Sequence, residues 1–355
     1  MRAVVCERWG HYRDLSLREM PAPPLRPGTV RIGVHYAAAS FGTTVMVAGR
    51  YQRAFELPFV PGVEVSGVIL EAADDVRQFS PGDRVCAALD HGGLADEAIA
   101  TAHTVYPVPD EVSLDIAAAM PLTYGTACAA LRWAARLRRG QTLLVNGAAG
   151  GVGLAAVEIG RQLGAEVVAV AGNADKLRAA EQHGAAHTLL ADDELVQRVK
   201  ALTGRRGVDL VIDPVGGAAF EAALHCLAQH GRIVVIGFAS GQVPQIAANL
   251  LLVKNATVTG FNFGQYVGWG RVDERQRHAR RVGAMMRMLL DWTAGGVLRP
   301  AVAARFELAR FAEAFDEVLA RRSVGRVLIE IGAGGAAVHR PTLSPAPIRS
   351  GARRA

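Results

Sequence analysis

An apolar run, Leu143-Leu144-Val145-Asn146, gives way to Gly147-Ala148-Ala149-Gly150-Gly151-Val152-Gly153, and then to the helix-patterned Leu154-Ala155-Ala156-Val157-Glu158-Ile159. Strand, glycine turn and helix in that order are the context in which a glycine motif can bind an anion. Small residues admit a pyrophosphate close to the backbone, and the helix start offers free N–H groups and the positive end of its dipole. The spacing is G-x-x-G-x-x-G, with Ala149 where the middle glycine of the commoner G-x-G-x-x-G often stands. A glycine turn alone serves structure as readily as phosphate binding, so its meaning depends on the chain around it.

The second chemical choice lies at the end of the next strand, Val167-Val168-Ala169-Val170. An NAD site places Asp or Glu there, about twenty residues beyond the glycines, to bind the ribose 2′-OH. Here Ala171-Gly172-Asn173-Ala174-Asp175-Lys176 follows, with no acid at the strand end. Gly172 leaves room and Lys176 can pair with a 2′-phosphate, so NADPH is the expected cofactor. The alternative is a solvated first-turn Lys176 whose charge Asp175 partly offsets.

Two kinds of element must position these residues. Residues 1 to about 121 are β-rich: short strands at Val4-Val5-Cys6, Leu15 to Glu19, Val30 to Val34, Pro61 to Ile69 and Asp83 to Ala87 are punctuated by Gly and Pro, the pattern of a barrel-like domain. From about 122 the periodicity changes. Strands ending at Val145 and Val170, and over 208–212 and 232–237, alternate with helices over 154–163, 175–183 and 218–229. That alternation specifies parallel βαβ units and a doubly wound sheet. A segment at Ala256-Thr257-Val258-Thr259-Gly260 and a long helix from about Asp273 to Gly295 follow, and β character returns at 305–308 and 325–330. The simplest architecture is one domain of 1–121 plus 297–331, a cofactor domain of 122–296 inserted in it, and a disordered basic tail of 332–355.

Composition narrows the setting. The 355-residue chain has a net charge of +6, but Arg340, Arg349, Arg353 and Arg354 of the acid-free tail supply four of those six charges. In the body, basic residues are interleaved with acids, which describes a solvated surface and not a nucleic-acid footprint. No apolar run approaches the ~18 residues of a membrane span, and Met1-Arg2-Ala3-Val4-Val5 opens no long apolar signal region. Cys6, Cys86, Cys128 and Cys226 lie far apart without C-x-x-C spacing. They fit a reducing compartment and supply neither a disulfide framework nor a zinc cage. A cytoplasmic protein is expected.

Over about residues 1–331 the chain resembles the zinc-independent quinone oxidoreductase (ζ-crystallin-like) branch of the medium-chain dehydrogenase/reductase superfamily. The resemblance rests on Gly49-Arg50-Tyr51, Pro61-Gly62-Val63-Glu64-Val65-Ser66-Gly67, Gly82-Asp83-Arg84-Val85, Ala148 to Gly153, Asp213-Pro214-Val215-Gly216-Gly217, Gly237 to Gly241 and Asn249 to Asn255. It implies an α/β molecule: a GroES-like β-rich catalytic domain with an inserted Rossmann domain that binds NADPH. The activity it implies is hydride transfer to a quinone or another α,β-unsaturated carbonyl. Zinc alcohol dehydrogenases of the superfamily use Cys, Gly-His-Glu and Cys for catalytic zinc and a four-cysteine lobe for structural zinc. Here Ala39-Ser40-Phe41-Gly42-Thr43 has no Cys, Val63 replaces the His, and no Cys lies between Cys86 and Cys128, so no metal is expected.

The resemblance also implies a set of cofactor contacts: Thr126 near the nicotinamide, Ala149, Gly150, Gly151 and Val152 in the turn, then Gly172, Asn173, Lys176, Val215, Phe238, Ala239, Gly325 and Arg326. Catalytic candidates are Thr126, Ser40 and Tyr51, the last either a donor to the substrate oxygen or a packing tyrosine. The family carries Asn-Phe-x-Asp where this chain has Ser40-Phe41-Gly42-Thr43, so the donor is shorter and a charge is gone. That leaves the acceptor open among quinone, alkenal or other enone, and enoyl thioester. The family also implies a homodimer formed through the strand near Ala256-Thr257-Val258-Thr259. A rival from another class is a cofactor-binding, crystallin-like protein that contacts RNA through the basic tail.

Overall fold

A computed structural model describes residues 1–53 and 55–332; apart from Gly332, the tail expected to be disordered lies outside them. In chain order the strands are β1 Arg2–Val5, β2 Ser16–Glu19, β3 Thr29–Ala39, β4 Glu64–Ala72, β5 Arg84–Ala88, β6 Glu97–Thr101, β7 Val105–Pro107, β8 Thr142–Asn146, β9 Glu166–Ala171, β10 His187–Leu190, β11 Val208–Asp213, β12 Leu227–Val235, β13 Thr257–Gly260, β14 Val302–Glu307 and β15 Arg326–Glu330.

Strands β8 to β13 form one parallel sheet in the order β10-β9-β8-β11-β12-β13. Leu143, Leu144 and Val145 are fully buried, as a strand covered by helices on both faces requires. The order reverses next to β8, so the glycine turn at its C-terminal end sits at the switch point where ligands bind such sheets. A second, mostly antiparallel sheet runs β14-β15-β3-β4-β5-β7, with β6 on β3. Its C-terminal strands join N-terminal ones: Val327 pairs Ala39 and Glu330 pairs Tyr36. The chain therefore leaves this sheet, builds the parallel one, and returns. Both fold units expected from the sequence are present.

The differences are local. A helix at Phe41–Val47, strands β6, β7 and β10, and a helix at Leu195–Leu202 were not legible. The first helix is only seven residues long, too short for a helical period to register. The helix after the glycine turn starts at Gly151, not 154, because its first residues are the glycines themselves. The helix expected over 218–229 ends at Cys226, and β12 starts at once with Leu227.

Candidate active site

At the turn, Gly150 is the N-cap of the helix Gly151–Gln162 and no side chain caps it. The first N–H groups of that helix therefore have no intrahelical partner. The turn tolerates no side chain at Gly153, where a Cβ would lie 2.2 Å from the Gly147 carbonyl oxygen. Ala149 is buried; its carbonyl accepts from Gly325 N–H at 2.9 Å, and Gly150 and Gly325 form a parallel bridge. Gly325 thus delivers Arg326 onto the turn, with its Cδ 2.6 Å from where a Gly151 Cβ would stand.

Arg326 is held there by Glu64. Its Nη2 donates to Glu64 Oε2 at 2.8 Å, and the other oxygen of Glu64 accepts from the N–H groups of Leu122 at 2.8 Å and Thr123 at 3.2 Å. Glu64 is 2% exposed, so burial pushes its carboxyl up while Arg326 and the two N–H groups pull it down. Arg326 Nε is buried without a partner among the described residues.

At the far end of β9, Gly172 is exposed and nothing lies within 4 Å of a Cβ built on it. Asn173 caps the next helix through Lys176 N–H at 3.0 Å. Lys176 Nζ donates to the Arg321 carbonyl at 2.5 Å, bringing the exposed Arg321 and Arg322 to the same corner. Asp175 turns to Arg178 instead of Lys176. The two arginines were missed in the sequence because they lie about 145 residues from Lys176. Across the turn, Asp213 accepts from Asn146 Nδ2 and from Val215 N–H, both at 3.1 Å, and fixes Val215 against Gly147. Ala239 N–H donates to Pro214 O at 3.0 Å, and Phe238 stands 42% exposed beside Gly216.

In the antiparallel-sheet half, Ser40 Oγ accepts from Thr43 N–H at 3.1 Å and lies 3.0 Å from Thr43 Oγ1. It is the N-cap of the short helix. The Tyr51 ring lies over Gly42, 4.0 Å from where a Cβ would be, and burial raises the Tyr51 hydroxyl above its usual range. Thr126 is half-buried on the Tyr124-Gly125-Thr126 segment, where Phe263 packs on Gly125. Tyr124 donates to the buried Glu158 at 2.7 Å, and Glu158 also meets His183 at 2.7 Å. Trp269 was not singled out in the sequence; it packs against both large hydrophobic cores, and its Nε1 is buried and unpartnered.

Residues 26–110 match the alcohol dehydrogenase GroES-like domain, and residues 151–285 match the zinc-binding dehydrogenase family. Quinone oxidoreductase-like protein 2 of Bos taurus is 37% identical over 332 residues, covering 93% of this chain and 92% of that protein. The chain belongs to the quinone oxidoreductase family of the medium-chain dehydrogenase/reductase superfamily. A mycobacterial protein solved in complex with NADPH superposes with a TM-score of 0.85 at 29% identity, covering 93% of this chain and 100% of that one. The Escherichia coli quinone oxidoreductase, also solved with NADPH, gives 0.84 at 25% identity with the same coverages.

Membership raises two fit tests. For zinc, Val63 cannot ligate, Glu64 is committed to Arg326, and no group of three His, Cys, Asp or Glu side chains converges among the described residues. The donor set does not fit the ion that the matched family's description names. For a dinucleotide, the uncapped turn and the unspent Arg326 Nε beside it fit a pyrophosphate.

Proposed function

We propose that the chain is a zinc-independent, NADPH-dependent reductase of quinones or other α,β-unsaturated carbonyls. In this reading residues 1–121 with 297–331 are the catalytic unit and 122–296 the cofactor unit. The observation that carries it is the orphaned Arg326 Nε at an uncapped glycine turn, an arrangement that wants an anion. The open Gly172 corner with Lys176, Arg321 and Arg322 supports a 2′-phosphate there. No described helix is long and apolar enough to cross a membrane.

When bound, NADPH supplies the hydride. The chain's own residues would bind and orient it: the turn and Arg326 would hold the pyrophosphate, with Val215, Phe238, Ala239 and Thr126 as the further cofactor contacts. In a conjugated acceptor the developing charge spreads onto a quinone or enolate oxygen, so hydroxyl donors can meet it without a metal. Tyr51, a phenol protonated at neutral pH whose pKa burial raises further, is the donor to that oxygen. Ser40 is the shorter second donor. Ser40 and Thr43 stand where the family carries Asn and Asp, so alkenals and enoyl thioesters are the alternative acceptors.

The experiment is a panel of quinones, 2-alkenals and enoyl thioesters followed by NADPH absorbance. Quinone turnover supports the leading form, turnover of the others alone moves the assignment to them, and turnover of none removes it. The proposal includes a homodimer, supported by β13 standing at the end of its sheet and by exposed Leu252 and Val253 on the helix that leads into it.

A further inference from the structure

Asp90 follows β5 and stands between two arginines from different parts of the molecule. Its Oδ1 accepts from Arg53 Nη1 at 2.6 Å and from Arg275 Nη2 at 2.7 Å. Arg53 lies two positions after Tyr51, and its guanidinium carbon is 5.4 Å from the Phe55 ring centroid. Arg275 opens the helix Arg275–Ala294, which packs against the core of the parallel-sheet half. It is 7% exposed and is held besides by Asp273 at 2.9 Å and Thr101 Oγ1 at 3.0 Å.

Arg275 also fixes the loop before its helix. Gly268 has φ of +95°, and a Cβ there would come within 2.2 Å of the guanidinium, so the loop wraps closely around that group. The next residue is Trp269, whose ring touches both hydrophobic cores and whose Nε1 has no partner. A single carboxylate oxygen thus joins the loop that carries Tyr51 to the loop that carries Trp269. Without that charge, Arg53 loses its carboxylate partner and Arg275 keeps only Asp273 as a carboxylate partner.

We propose that Asp90 is a positioning residue: it clamps the Tyr51 loop of one half of the molecule to the Trp269 loop of the other, and so sets the width of the acceptor site. The clamp rests on the reductase reading for its purpose. It does not rest on the cofactor contacts, because the glycine turn is braced separately by Arg326 and Glu64. Burial works against the Asp90 carboxylate, but the hydrogen bonds and charges of Arg275 and Arg53 outweigh it and hold the group ionised.

The test compares Asp90→Asn, Asp90→Glu and Arg53→Met with the wild-type enzyme in three measurements. These are acceptor KM and kcat, NADPH affinity by fluorescence titration, and the rate of trypsin cleavage after Arg50. In Asp90→Asn the acceptor KM is expected to rise roughly tenfold, with NADPH affinity kept. Cleavage after Arg50 should quicken in both Asp90→Asn and Arg53→Met. Asp90→Glu should recover part of the KM, and Arg53→Met combined with Asp90→Asn should add little to either alone. Unchanged KM and unchanged cleavage overturn the clamp. Proportional loss of acceptor KM, NADPH affinity and melting temperature does so too, since it marks a purely structural ion pair. If the wild-type enzyme reduces no acceptor, the reductase reading falls and the cleavage rates alone decide the clamp; if Asp90→Asn fails to fold, Arg53→Met carries the same comparison.

Discussion

Arg326 and Glu64, 262 positions apart, meet at 2.8 Å beside the glycine turn. The carboxylate comes from β4 and the guanidinium from β15, while the N–H groups that share the carboxylate belong to the segment entering the cofactor half. Glu64 therefore braces the mostly antiparallel sheet to the segment leading into the parallel-sheet half, and Arg326 holds the brace beside the turn. Removing one partner strands a buried charge, whereas removing charge alone from Glu64 leaves an acceptor for Leu122 and Thr123. Arg326→Met should lose about 3–5 kcal/mol of stability and most NADPH affinity, and Glu64→Gln should lose less of both. Denaturant unfolding with parallel NADPH titration measures this; equal losses in the two variants would contradict the brace.

Cofactor choice turns on the open corner after β9. Lys176→Ala should weaken NADPH by about tenfold or more and NADH little, the size expected of one charge-assisted hydrogen bond. Gly172→Asp has room for its side chain and places a carboxylate where a ribose 2′-OH would lie. The double variant should prefer NADH. Equal loss for both cofactors, or none, would remove the 2′-phosphate assignment.

On the acceptor side, Tyr51 and Ser40 separate by mechanism. Tyr51→Phe keeps the packing over Gly42 and removes the hydroxyl, so kcat should fall about 10²-fold or more if it donates to the reacting oxygen. Ser40→Ala removes a helix cap and should cost ~1 kcal/mol of stability with a milder kinetic effect. Steady-state kinetics beside thermal unfolding distinguishes them. A Tyr51→Phe enzyme with wild-type kcat would leave Tyr51 as packing only.

Acid sensitivity follows from Asp90 and Asp115. For each, burial raises the carboxyl, yet partners prevail and the pKa ends below the usual 3.8: Arg275 and Arg53 for Asp90, Ser113 and Arg305 for Asp115. Near and below that usual value the unfolded chain binds more protons than the folded one, so stability rises with pH there. Their contribution is complete above about pH 4 to 5 and is lost as pH falls through the depressed folded values. Calorimetry from pH 3 to 7 should show the melting temperature dropping at the acid end, and Asp115→Asn should flatten the drop.

The glycine turn and the strands around it were legible because phosphate binding and parallel strands impose local patterns: small residues at the turn, and apolar runs such as Leu143 to Val145. The return of the chain from the parallel sheet to β14 and β15 was legible for the same reason. The partners that complete the site were not. Glu64 with Arg326, Lys176 with Arg321, and Asp90 with Arg275 are pairs brought together by topology, each more than a hundred positions apart. Ser40 was legible as a departure from its family, but its tie to Thr43 depends on a helix too short to announce itself.

β13 pairs with β12 on one side and ends the parallel sheet on the other, leaving backbone groups of 257–260 free to pair. The helix Ala248–Lys254 buries none of its residues, with Leu252 78% and Val253 69% exposed. Apolar side chains that large, beside an open strand edge, are best covered by a second copy whose own β13 continues the sheet. Leu252→Arg with Val253→Asp should convert a dimer into a monomer by size-exclusion chromatography with light scattering. Wild-type protein that runs as a monomer at micromolar concentration would rule this interface out.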